Sequence, residues 1–409
     1  MNANCRGCGA PLNLMLCDLG MSPLANSYVS VERAAASDPA YPLRVRVCRE
    51  CMLVQADEAV DAADIFAADY AYHSSFSESW LEHCRKFAAM AIARFGLDDT
   101  TQVMEVASND GYLLQYFQQA GIPVIGVEPA AEVAAIAESR GVPTRVAFFS
   151  KRLANELANE GVQPKLICSA NVLAHVPDIN DFVAGVARLL GQSSTYTVEF
   201  PHVLNLIEQT QFDTIYHEHY SYLSLLAVQR IFERNGMRVF DVEELPTHGG
   251  SLRVYGCVAG SNFPESPAVA RVRERERGAN LDKPAGYENF QPEIERVRTE
   301  LLTFLQQAKQ AGATVAAYGA AAKGNTLLNY CSVSTNFIAY CVDRNPAKQN
   351  KLLPGSRIPV YNVDRMLADP PDYVLILPWN IRDEVIGQLA ALRGRSRFVT
   401  AIPRLQVQD

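Results

Sequence analysis

A chain of 409 residues is longer than one hydrophobic core usually supports, so the sequence predicts two or three domains. Its hydrophobic fraction of 48%, with 20% charged residues, is typical of a globular protein with ample core-forming material. The net charge of −8 argues against a nucleic-acid or anionic-membrane partner, and no apolar run approaches the roughly 18 residues of a spanning helix. We expect no secretory signal and a cytoplasmic location, where the ten cysteines would be thiols or metal ligands.

Two C-x-x-C knuckles come first in the chain, Cys5 to Cys8 and Cys48 to Cys51. Four thiolates at this spacing can surround Zn²⁺ as a tetrahedron, and such a closed site is structural because it leaves no position for a substrate. The alternatives are four unrelated buried thiols or a redox pair, and Cys17 competes for one ligand position.

A first α/β unit follows an amphipathic helix predicted between about Ser77 and Gly96. Its predicted parts are the strand Gln102–Val106, a loop, the helix Tyr112–Ala120 and the strand Pro123–Val127.

The loop of this unit reads E-x-A-S-N-D-G and has a single glycine, Gly111, whereas a pyrophosphate-binding loop needs several. Glu128, at the tip of the second strand, could accept both hydroxyl protons of an adenosine ribose. The pattern therefore favours a cofactor without phosphate, S-adenosylmethionine, over a dinucleotide, and a generic α/β unit is the alternative. The candidate cofactor-binding residues are Ser75, Glu105, Asn109, Gly111, Glu128, Pro129 and Asn171.

Further strands continue the alternating pattern. Lys165–Ser169 leads into a loop with Asn171 and His175, and a lone histidine there is more often structural than functional. Val239–Leu245 and Ser251–Val258 are predicted to form an antiparallel closing pair.

A second Rossmann-like unit is predicted after the charged run RVRERERGANLDKP, which indicates a solvated linker helix and a domain boundary. After a long amphipathic helix (about 293 to 311), Gly319 and Gly324 open a helix, and Asp343 ends the second strand. Lys323 could bind a phosphate at this helix N-terminus or lie solvated.

Together these blocks resemble the zinc-containing, S-adenosylmethionine-dependent sugar C-methyltransferases that act on nucleotide-linked 4-keto-6-deoxy sugars. The resemblance covers essentially the whole chain and includes SPLANSYV, YAYHSSFS, EVASNDGYLL, SANVLAHVPD, FDTIYHEHYSYLS, LPTHGGSLRVY, VAAYGAAAKGNTLLNY, VDRNPAKQNKLLPGSRIPV and PDYVLILPWN. It implies an α/β protein with an N-terminal zinc-binding domain (1–70), a central Rossmann-like methyltransferase domain (71–265) and a C-terminal second Rossmann-like domain (266–409). The sugar nucleotide would lie between the last two.

The resemblance also implies catalytic residues. The family's Tyr-x-Glu-His falls on Tyr216, Glu218 and His219, and its further active-site tyrosine and histidine fall on Tyr70 and His175. Methylation at carbon needs a base that removes a proton next to the C4 ketone, and histidine has a suitable pKa. We expect His219 to be this base, Glu218 to orient it, and Tyr216 to align the base or the sugar, or to donate to the developing oxyanion.

The histidine at 217 departs from related members, where this position is acidic. His217 and His219 are two residues apart and would face opposite ways on a helix, so a metal site here is disfavoured. His217 has no predicted role.

The substrate would be a nucleotide-linked keto-sugar, methylated at C3 in preference to C5, bound by a monomer or small homo-oligomer. By itself T-H-G-G-S-L-R predicts a hairpin turn, but the resemblance makes it a substrate-facing loop. Candidate substrate-binding residues are His248, Gly249, Arg253, Lys323, Asn325, Trp379 and Asn380. The alternatives are an NAD-dependent oxidoreductase or epimerase of nucleotide sugars, and a non-catalytic binding module.

Overall fold

A computed structural model describes residues 4–58, 60, 75 and 78–409, and the structural statements below concern these residues. The strands are β1 Leu14–Pro23, β2 Val29–Ser30, β3 Ala40–Val47, β4 Val54–Ala56, β5 Val103–Val106, β6 Val124–Glu128, β7 Thr144–Val146, β8 Leu166–Ala170, β9 Thr195–Pro201, β10 Ser221–Tyr222, β11 Met237–Leu245, β12 Ser251–Val258, β13 Val315–Tyr318, β14 Cys341–Val342, β15 Lys351–Leu352, β16 Val360–Tyr361, β17 Tyr373–Ile376, β18 Arg397–Thr400 and β19 Gln406–Gln408. The helices are α1 Glu78–Phe95, α2 Leu114–Gln119, α3 Ala131–Ser139, α4 Lys151–Asn159, α5 Ile179–Leu189, α6 Val203–Glu208, α7 Leu225–Arg234, α8 Pro267–Gly278, α9 Phe290–Gln310, α10 Ala322–Tyr330, α11 Val363–Ala368 and α12 Arg382–Gln388.

The central sheet has seven strands in the order β11-β12-β9-β8-β5-β6-β7. The five strands from β9 to β7 are parallel, and β12 runs antiparallel to both β9 and β11. β5 is buried along its whole length and β8 along nearly all of it, as expected for parallel strands covered on both faces. The predicted α/β unit and the antiparallel closing pair are both confirmed, with ends shifted by a few residues.

The C-terminal sheet has six strands in the order β16-β14-β13-β17-β18-β19, parallel except for β19. This order confirms the second Rossmann-like unit. Both α/β sheets bring the carboxyl ends of their parallel strands to one edge, where ligands bind in open sheets of this class.

The N-terminal sheet is antiparallel, in the order β1-β3-β4-β10. Its fourth strand comes from far along the chain, because Ser221 and Tyr222 pair with Gln55 and Val54 of β4. The N-terminal domain also contacts the C-terminal domain, where β2 pairs with β15 and Asp38 Oδ1 accepts a 2.9 Å hydrogen bond from Arg357. The segment predicted to carry catalysis thus ends as a strand of the N-terminal sheet.

Helix α8 differs from the solvated linker helix predicted for the charged run. One face is buried, with Val269, Val272 and Glu276 inside. The Glu276 carboxylate is 2.7 Å from His202 Nε2 and accepts the backbone N–H groups of Leu225 (2.6 Å) and Leu226 (2.9 Å) at the start of α7. One carboxylate within a run of charged residues can thus be buried when its hydrogen-bond partners come from other parts of the chain.

None of the helices in the described ranges combines the length and apolar character needed to cross a membrane.

Replacing Glu276 by alanine should destabilise the protein by about 3–5 kcal/mol, because the change leaves a buried histidine and two helix N–H groups without their acceptor. Thermal unfolding would show this as a lower midpoint. The matched control is Glu274→Ala on the exposed face of the same helix, which should leave the midpoint nearly unchanged. Equal midpoints for both variants would contradict the assignment.

Candidate active site

The two cysteine knuckles converge on one cluster. The ligand atoms of Cys5, Cys8, Cys48 and Cys51 lie within 4.8 Å of one another. Gln55 Nε2 donates to Cys5 Sγ at 3.2 Å, an outer-shell contact of the kind that orients metal ligands. Four sulfur donors at this separation fit a tetrahedral Zn²⁺ and leave no open position.

Cys17 is not in this cluster. It is buried in another part of the core, and burial raises the pKa of its thiol above the usual range. A neutral buried thiol is a packing residue and not a metal ligand.

The cofactor edge lies at the carboxyl ends of β5 and β6. Glu128 accepts the backbone N–H of Asn109 at 3.0 Å and that of Ala130 at 2.9 Å. The loop between the strands has three residues with left-handed backbone, Ala107, Asn109 and Gly111. Left-handed residues of this kind are concentrated at ligand sites. Here they make the tight turn that brings the Asn109 N–H to the Glu128 carboxylate.

Three carboxylates surround this loop. The pKa of Glu105 is raised well above its usual value by burial, and the nearby Glu128 and Asp110 raise it further, while a hydrogen bond with Tyr112 lowers it. Burial also raises the pKa of Glu128. Carboxylates that repel one another favour a bound cation and disfavour a pyrophosphate, so the edge fits the positively charged S-adenosylmethionine better than a dinucleotide.

The other predicted cofactor residues adjoin the same edge. Ser75 donates a short hydrogen bond to the Asp110 side chain, and Pro129 follows Glu128 directly. Asn171 follows β8, has a left-handed backbone, and its Nδ2 donates to His248 Nε2 at 3.2 Å. Because His248 is also left-handed, two strained polar residues join the cofactor edge to the loop before β12.

Three rings cluster in the loop that carries Tyr-His-Glu-His. The ring of His219 is 4.0 Å from that of Tyr216 and 4.7 Å from that of His175, which enters from the turn after β8. All three side chains are half-buried, so the cluster is partly shielded from water but is not sealed in the core.

The hydrogen bonds of the two histidines define their tautomers. His219 Nδ1 is 2.9 Å from the carbonyl oxygen of Thr214, and His175 Nδ1 is 2.9 Å from that of Glu218. A carbonyl only accepts, so each Nδ1 carries the proton and each Nε2 keeps its lone pair. The contact that orients His219 is thus the Thr214 carbonyl, whereas the sequence suggested Glu218.

Both histidines are neutral at pH 7. Burial lowers the pKa of His175 to about 4, and burial together with the neighbouring His175 lowers that of His219 well below 6.5. A neutral imidazole with a free lone pair is a base that needs no prior deprotonation.

His217 points to the N-terminal domain. Its ring lies edge-on to Tyr41, with centroids 6.0 Å apart, and burial lowers its pKa. The residue without a predicted role therefore packs the loop against β3.

A cleft of about 730 Å³ opens between the central and C-terminal domains. Gly249 and Gly250 line one side, and Trp379, Asn380 and Arg382 line the other. At Gly249 an added Cβ would lie 2.5 Å from the Trp379 ring, so the loop and the tryptophan approach as closely as glycine permits.

Trp379 is held at the cleft by the central domain. Its Nε1 donates to Asp213 Oδ2 at 2.7 Å, and burial raises the pKa of Asp213 to about 6. Lys323 Nζ lies over the same indole ring at 5.0 Å and donates to Asn380 Oδ1 at 2.7 Å. The structure thus brings Lys323, Trp379 and Asn380 together.

Four predicted substrate residues are not among those that line the cleft: His248, Arg253, Lys323 and Asn325. The last of these and Arg253 are held by partners elsewhere in the fold. Arg253 is buried in β12, with ion pairs to Glu199 (3.0 Å) and Glu243 (2.9 Å), and stacks on Phe87. Asn325 is buried, and its Nδ2 donates to the carbonyl oxygen of Ala25 at 2.7 Å. Tyr70 lies outside the described residues.

Sequence reasoning missed three contacts of the site. These are Thr214 with His219, Asp213 with Trp379, and Asn26, whose Nδ2 donates to Glu218 Oε1 at 2.7 Å. Thr214 acts through its backbone, so its side-chain type carries no signal. Asp213 lies in the block FDTIYHEH and Asn26 in the block SPLANSYV. The sequence could have indicated both as candidates, because each is a polar residue within a block that carries the family resemblance.

The carboxyl edge of the C-terminal sheet is occupied by the chain itself. The Ala320 carbonyl accepts hydrogen bonds from the Tyr28 hydroxyl and from Lys348 Nζ (2.8 Å), and Asp343 accepts the Ala320 N–H at 2.7 Å. A dinucleotide would need this space, so the second Rossmann-like unit gives little support to an NAD-dependent activity.

Three family models match successive parts of the chain. They describe a zinc binding domain (residues 5–66), a methyltransferase domain (80–242) and a C-methyltransferase C-terminal domain (246–403).

A curated relative matches nearly the whole chain. The C-methyltransferase NovU of Streptomyces niveus is 36% identical over 404 residues, which are 98% of this chain and 96% of the relative. The chain therefore belongs to the same family of S-adenosylmethionine-dependent C-methyltransferases, with a zinc site at its N-terminal cysteines.

Solved structures match the central part at low identity. The magnesium protoporphyrin IX methyltransferase ChlM of Synechocystis PCC 6803, with bound SAH, is 15% identical with a TM-score of 0.36, covering 44% of this chain and 83% of its own. An S-adenosylmethionine-dependent methyltransferase of Clostridium acetobutylicum ATCC 824 is 12% identical with a TM-score of 0.36, covering 44% and 92%. The fold assignment rests on the strand order described above.

Replacing Cys48 by serine should lower the zinc content from about one ion per chain to near zero and lower the unfolding temperature, because the site loses one of four thiolates. Metal analysis by mass spectrometry measures this. Cys17→Ala is the control and should retain the zinc, and loss of the metal from the control instead would refute the ligand set.

Replacing Glu128 by glutamine should weaken S-adenosylmethionine binding by about 10- to 100-fold, since the ribose would lose hydrogen bonds to a charged acceptor. Calorimetric titration with the cofactor measures the affinity. The control is Glu132→Gln, an exposed residue in the following helix, which should bind as the wild type does. Unchanged affinity for Glu128→Gln would contradict the assignment.

Proposed function

We propose that the protein transfers a methyl group from S-adenosylmethionine to a ring carbon, C3 in preference to C5, of a nucleotide-linked 4-keto-6-deoxy sugar. The observation that carries this proposal is the state of His219, a neutral imidazole whose Nε2 keeps its lone pair, in the same domain as the cofactor edge. An oxygen or nitrogen atom can attack a methyl donor with a lone pair that it already has. The carbon next to a ketone has no lone pair, so a base of this kind must first remove its proton.

The proposed first step is proton abstraction. Nε2 of His219 takes the proton from the carbon next to the C4 ketone, and the electron pair of the C–H bond moves into an enolate. The Thr214 carbonyl accepts the Nδ1–H of the resulting imidazolium and stabilises its charge. The Tyr216 hydroxyl is our candidate donor to the enolate oxygen.

Carbon–carbon bond formation follows. When bound, S-adenosylmethionine supplies an electrophilic methyl group on a sulfonium. The enolate carbon would take up this methyl group, with the carbon–sulfur electron pair leaving on sulfur, and the C4 ketone would re-form. Glu128 and Glu105 would hold the cofactor, and the rings of Tyr216, His175 and His219 would shield the enolate from water.

The cleft is our proposed site for the sugar nucleotide. Its volume is within the range of small-molecule sites, and it lies between the two α/β domains. Trp379, Asn380 and Lys323 would bind the nucleotide end, while His248 and Gly249 would face the sugar. We retain the division into domains at 1–70, 71–265 and 266–409 as part of this proposal.

The decisive experiment is incubation with S-adenosylmethionine and a panel of 4-keto-6-deoxy sugars linked to thymidine or guanosine diphosphate. Mass spectrometry should find one product heavier by a methyl group, and NMR should show loss of the proton at C3. Loss of the proton at C5 would reverse the regiochemistry, and no methylated sugar in the panel would overturn the substrate class.

His219→Asn should lower turnover by about 10²- to 10⁴-fold and abolish solvent deuterium exchange at the acceptor carbon, because the asparagine amide can still donate to Thr214 but offers no base. Cofactor affinity should be unchanged in a calorimetric titration. The control is His217→Asn in the same loop, which should retain exchange because its ring faces Tyr41. Near-normal exchange in His219→Asn would show that another group is the base.

The acid limb of the wild-type rate that belongs to His219 should lie below pH 6.5, since the pKa of this residue is lowered. Protonation of Nε2 as the pH falls through that value removes the base.

A further inference from the structure

The block SPLANSYV forms an arm of the N-terminal domain that enters the space between the catalytic loop and the C-terminal domain. The C-terminal domain holds the arm at both ends. Asn325 Nδ2 donates to the Ala25 carbonyl at 2.7 Å, and the Tyr28 hydroxyl donates to the Ala320 carbonyl. The pairing of Val29 with Leu352 continues these contacts. The position of the arm is therefore set by a domain other than its own.

Asn26 lies between these two anchors and points to the catalytic loop. Its Nδ2 donates to Glu218 Oε1 at 2.7 Å. Glu218 is only 5% exposed, and within the described ranges this amide is the side chain that donates to its carboxylate. A buried carboxylate without such a donor is strongly disfavoured in its ionised form.

Glu218 also contacts the active site through its backbone. Its carbonyl oxygen accepts the Nδ1–H of His175, and the next residue is His219. A change in the Glu218 side chain is therefore transmitted to both imidazoles through one residue.

We propose that Asn26 is a positioning residue of the active site, whose side-chain amide holds the ionised Glu218 carboxylate in place and thereby fixes the two histidines. The inference rests on the proposed function, in which His219 is the base. It gives the N-terminal domain, which also carries the structural zinc site, a part in catalysis.

The groups around Glu218 make this role measurable. Burial raises the pKa of Glu218 to about 7, and the hydrogen bond from Asn26 lowers it. Burial keeps the pKa of Tyr28 well above 10, and keeps those of the three surrounding histidines below 6.5. These histidines are His175, His217 and His219.

Two further ionisable groups lie near the loop. Burial lowers the pKa of Lys323, and the pKa of Asp213 is about 6. Glu218 is thus the carboxylate of this group that changes charge around pH 7. Its ionised form is present above this pH and is lost as the pH falls through about 7.

The test compares Asn26→Ala and Asn26→Asp with the wild type, all as full-length zinc-loaded enzymes. For Asn26→Ala we expect kcat to fall about 10- to 100-fold with KM little changed. The acid limb of the rate that belongs to Glu218 should move up by about one pH unit, since the donor that favours its charged carboxylate is gone.

Asn26→Asp should reverse the pH dependence. Two adjacent carboxylates share one proton, and in that form the introduced carboxylic acid can donate to Glu218 as the amide does. Activity should therefore approach that of the wild type near pH 6.5 and fall as the pH rises and the shared proton is lost. A purely structural contact would not invert the profile. Asn13→Asp, at an exposed asparagine of the same domain, is the matched control and should follow the wild-type profile.

A second measurement needs no substrate. Because the folded pKa of Glu218 lies above its unfolded value, ionisation of this residue costs stability as the pH rises. The melting temperature of Asn26→Ala should fall further below that of the wild type at pH 8 than at pH 6. In a Glu218→Gln background this pH dependence should disappear.

The outcomes separate the two levels of the proposal. A melting-temperature difference independent of pH, or unchanged by Glu218→Gln, overturns the Asn26–Glu218 interaction whatever the reaction is. Parallel pH profiles for Asn26→Asp and the wild type overturn its role in catalysis. A wild-type enzyme that methylates no sugar of the panel overturns the proposed function and the catalytic role with it, while the melting experiment still reports on the contact.

Discussion

The proposed catalytic loop between Phe212 and Tyr222 has little regular structure of its own, so its geometry depends on hydrogen bonds from all three domains. Thr326 Oγ1 of the C-terminal domain donates to the Ile215 carbonyl at 2.9 Å, and Asn26 of the N-terminal domain donates to Glu218. Beyond Glu218 the chain enters the N-terminal sheet as β10. A short irregular segment has no internal ladder to resist displacement, and here the surrounding domains provide that resistance.

Burial sets opposite electrostatic conditions at the two ends of the site. At the cofactor edge it gathers carboxylates whose mutual repulsion a cation relieves. At the proposed catalytic loop it keeps His175 and His219 neutral, and because their Nδ1–H groups donate to carbonyl oxygens, each Nε2 keeps its lone pair. An electrophilic cation and a neutral base are what alkylation at an acidic carbon needs, and burial supplies the conditions for each in a different part of the site.

The sequence predicted those parts of the molecule that follow from local patterns. The two C-x-x-C knuckles gave the metal cluster, because cysteine spacing is a local property. The alternation of strands and helices gave both Rossmann-like sheets. The pairing of β10 with β4 was not predicted. Two residues, Ser221 and Tyr222, are too short a segment to show a strand pattern, and their pairing depends on partners far away in the sequence. Likewise, Arg253 looked like a ligand contact from its neighbours Gly249 and Gly250, but only the fold shows Glu199 and Glu243 beside it.

The two Rossmann-like units show how one architecture serves two purposes. In the central domain the carboxyl edge of the sheet carries Glu128, our proposed ligand of the cofactor ribose. In the C-terminal domain the equivalent edge holds Tyr28, with Lys348 over its ring at 5.6 Å and hydrogen-bonded to the same carbonyl. The arm that fills this edge is also the arm that carries Asn26 to Glu218. The C-terminal domain thus contributes to the proposed active site in two places: Trp379 lines the cleft, and the edge of the sheet fixes the arm that carries Asn26 to Glu218.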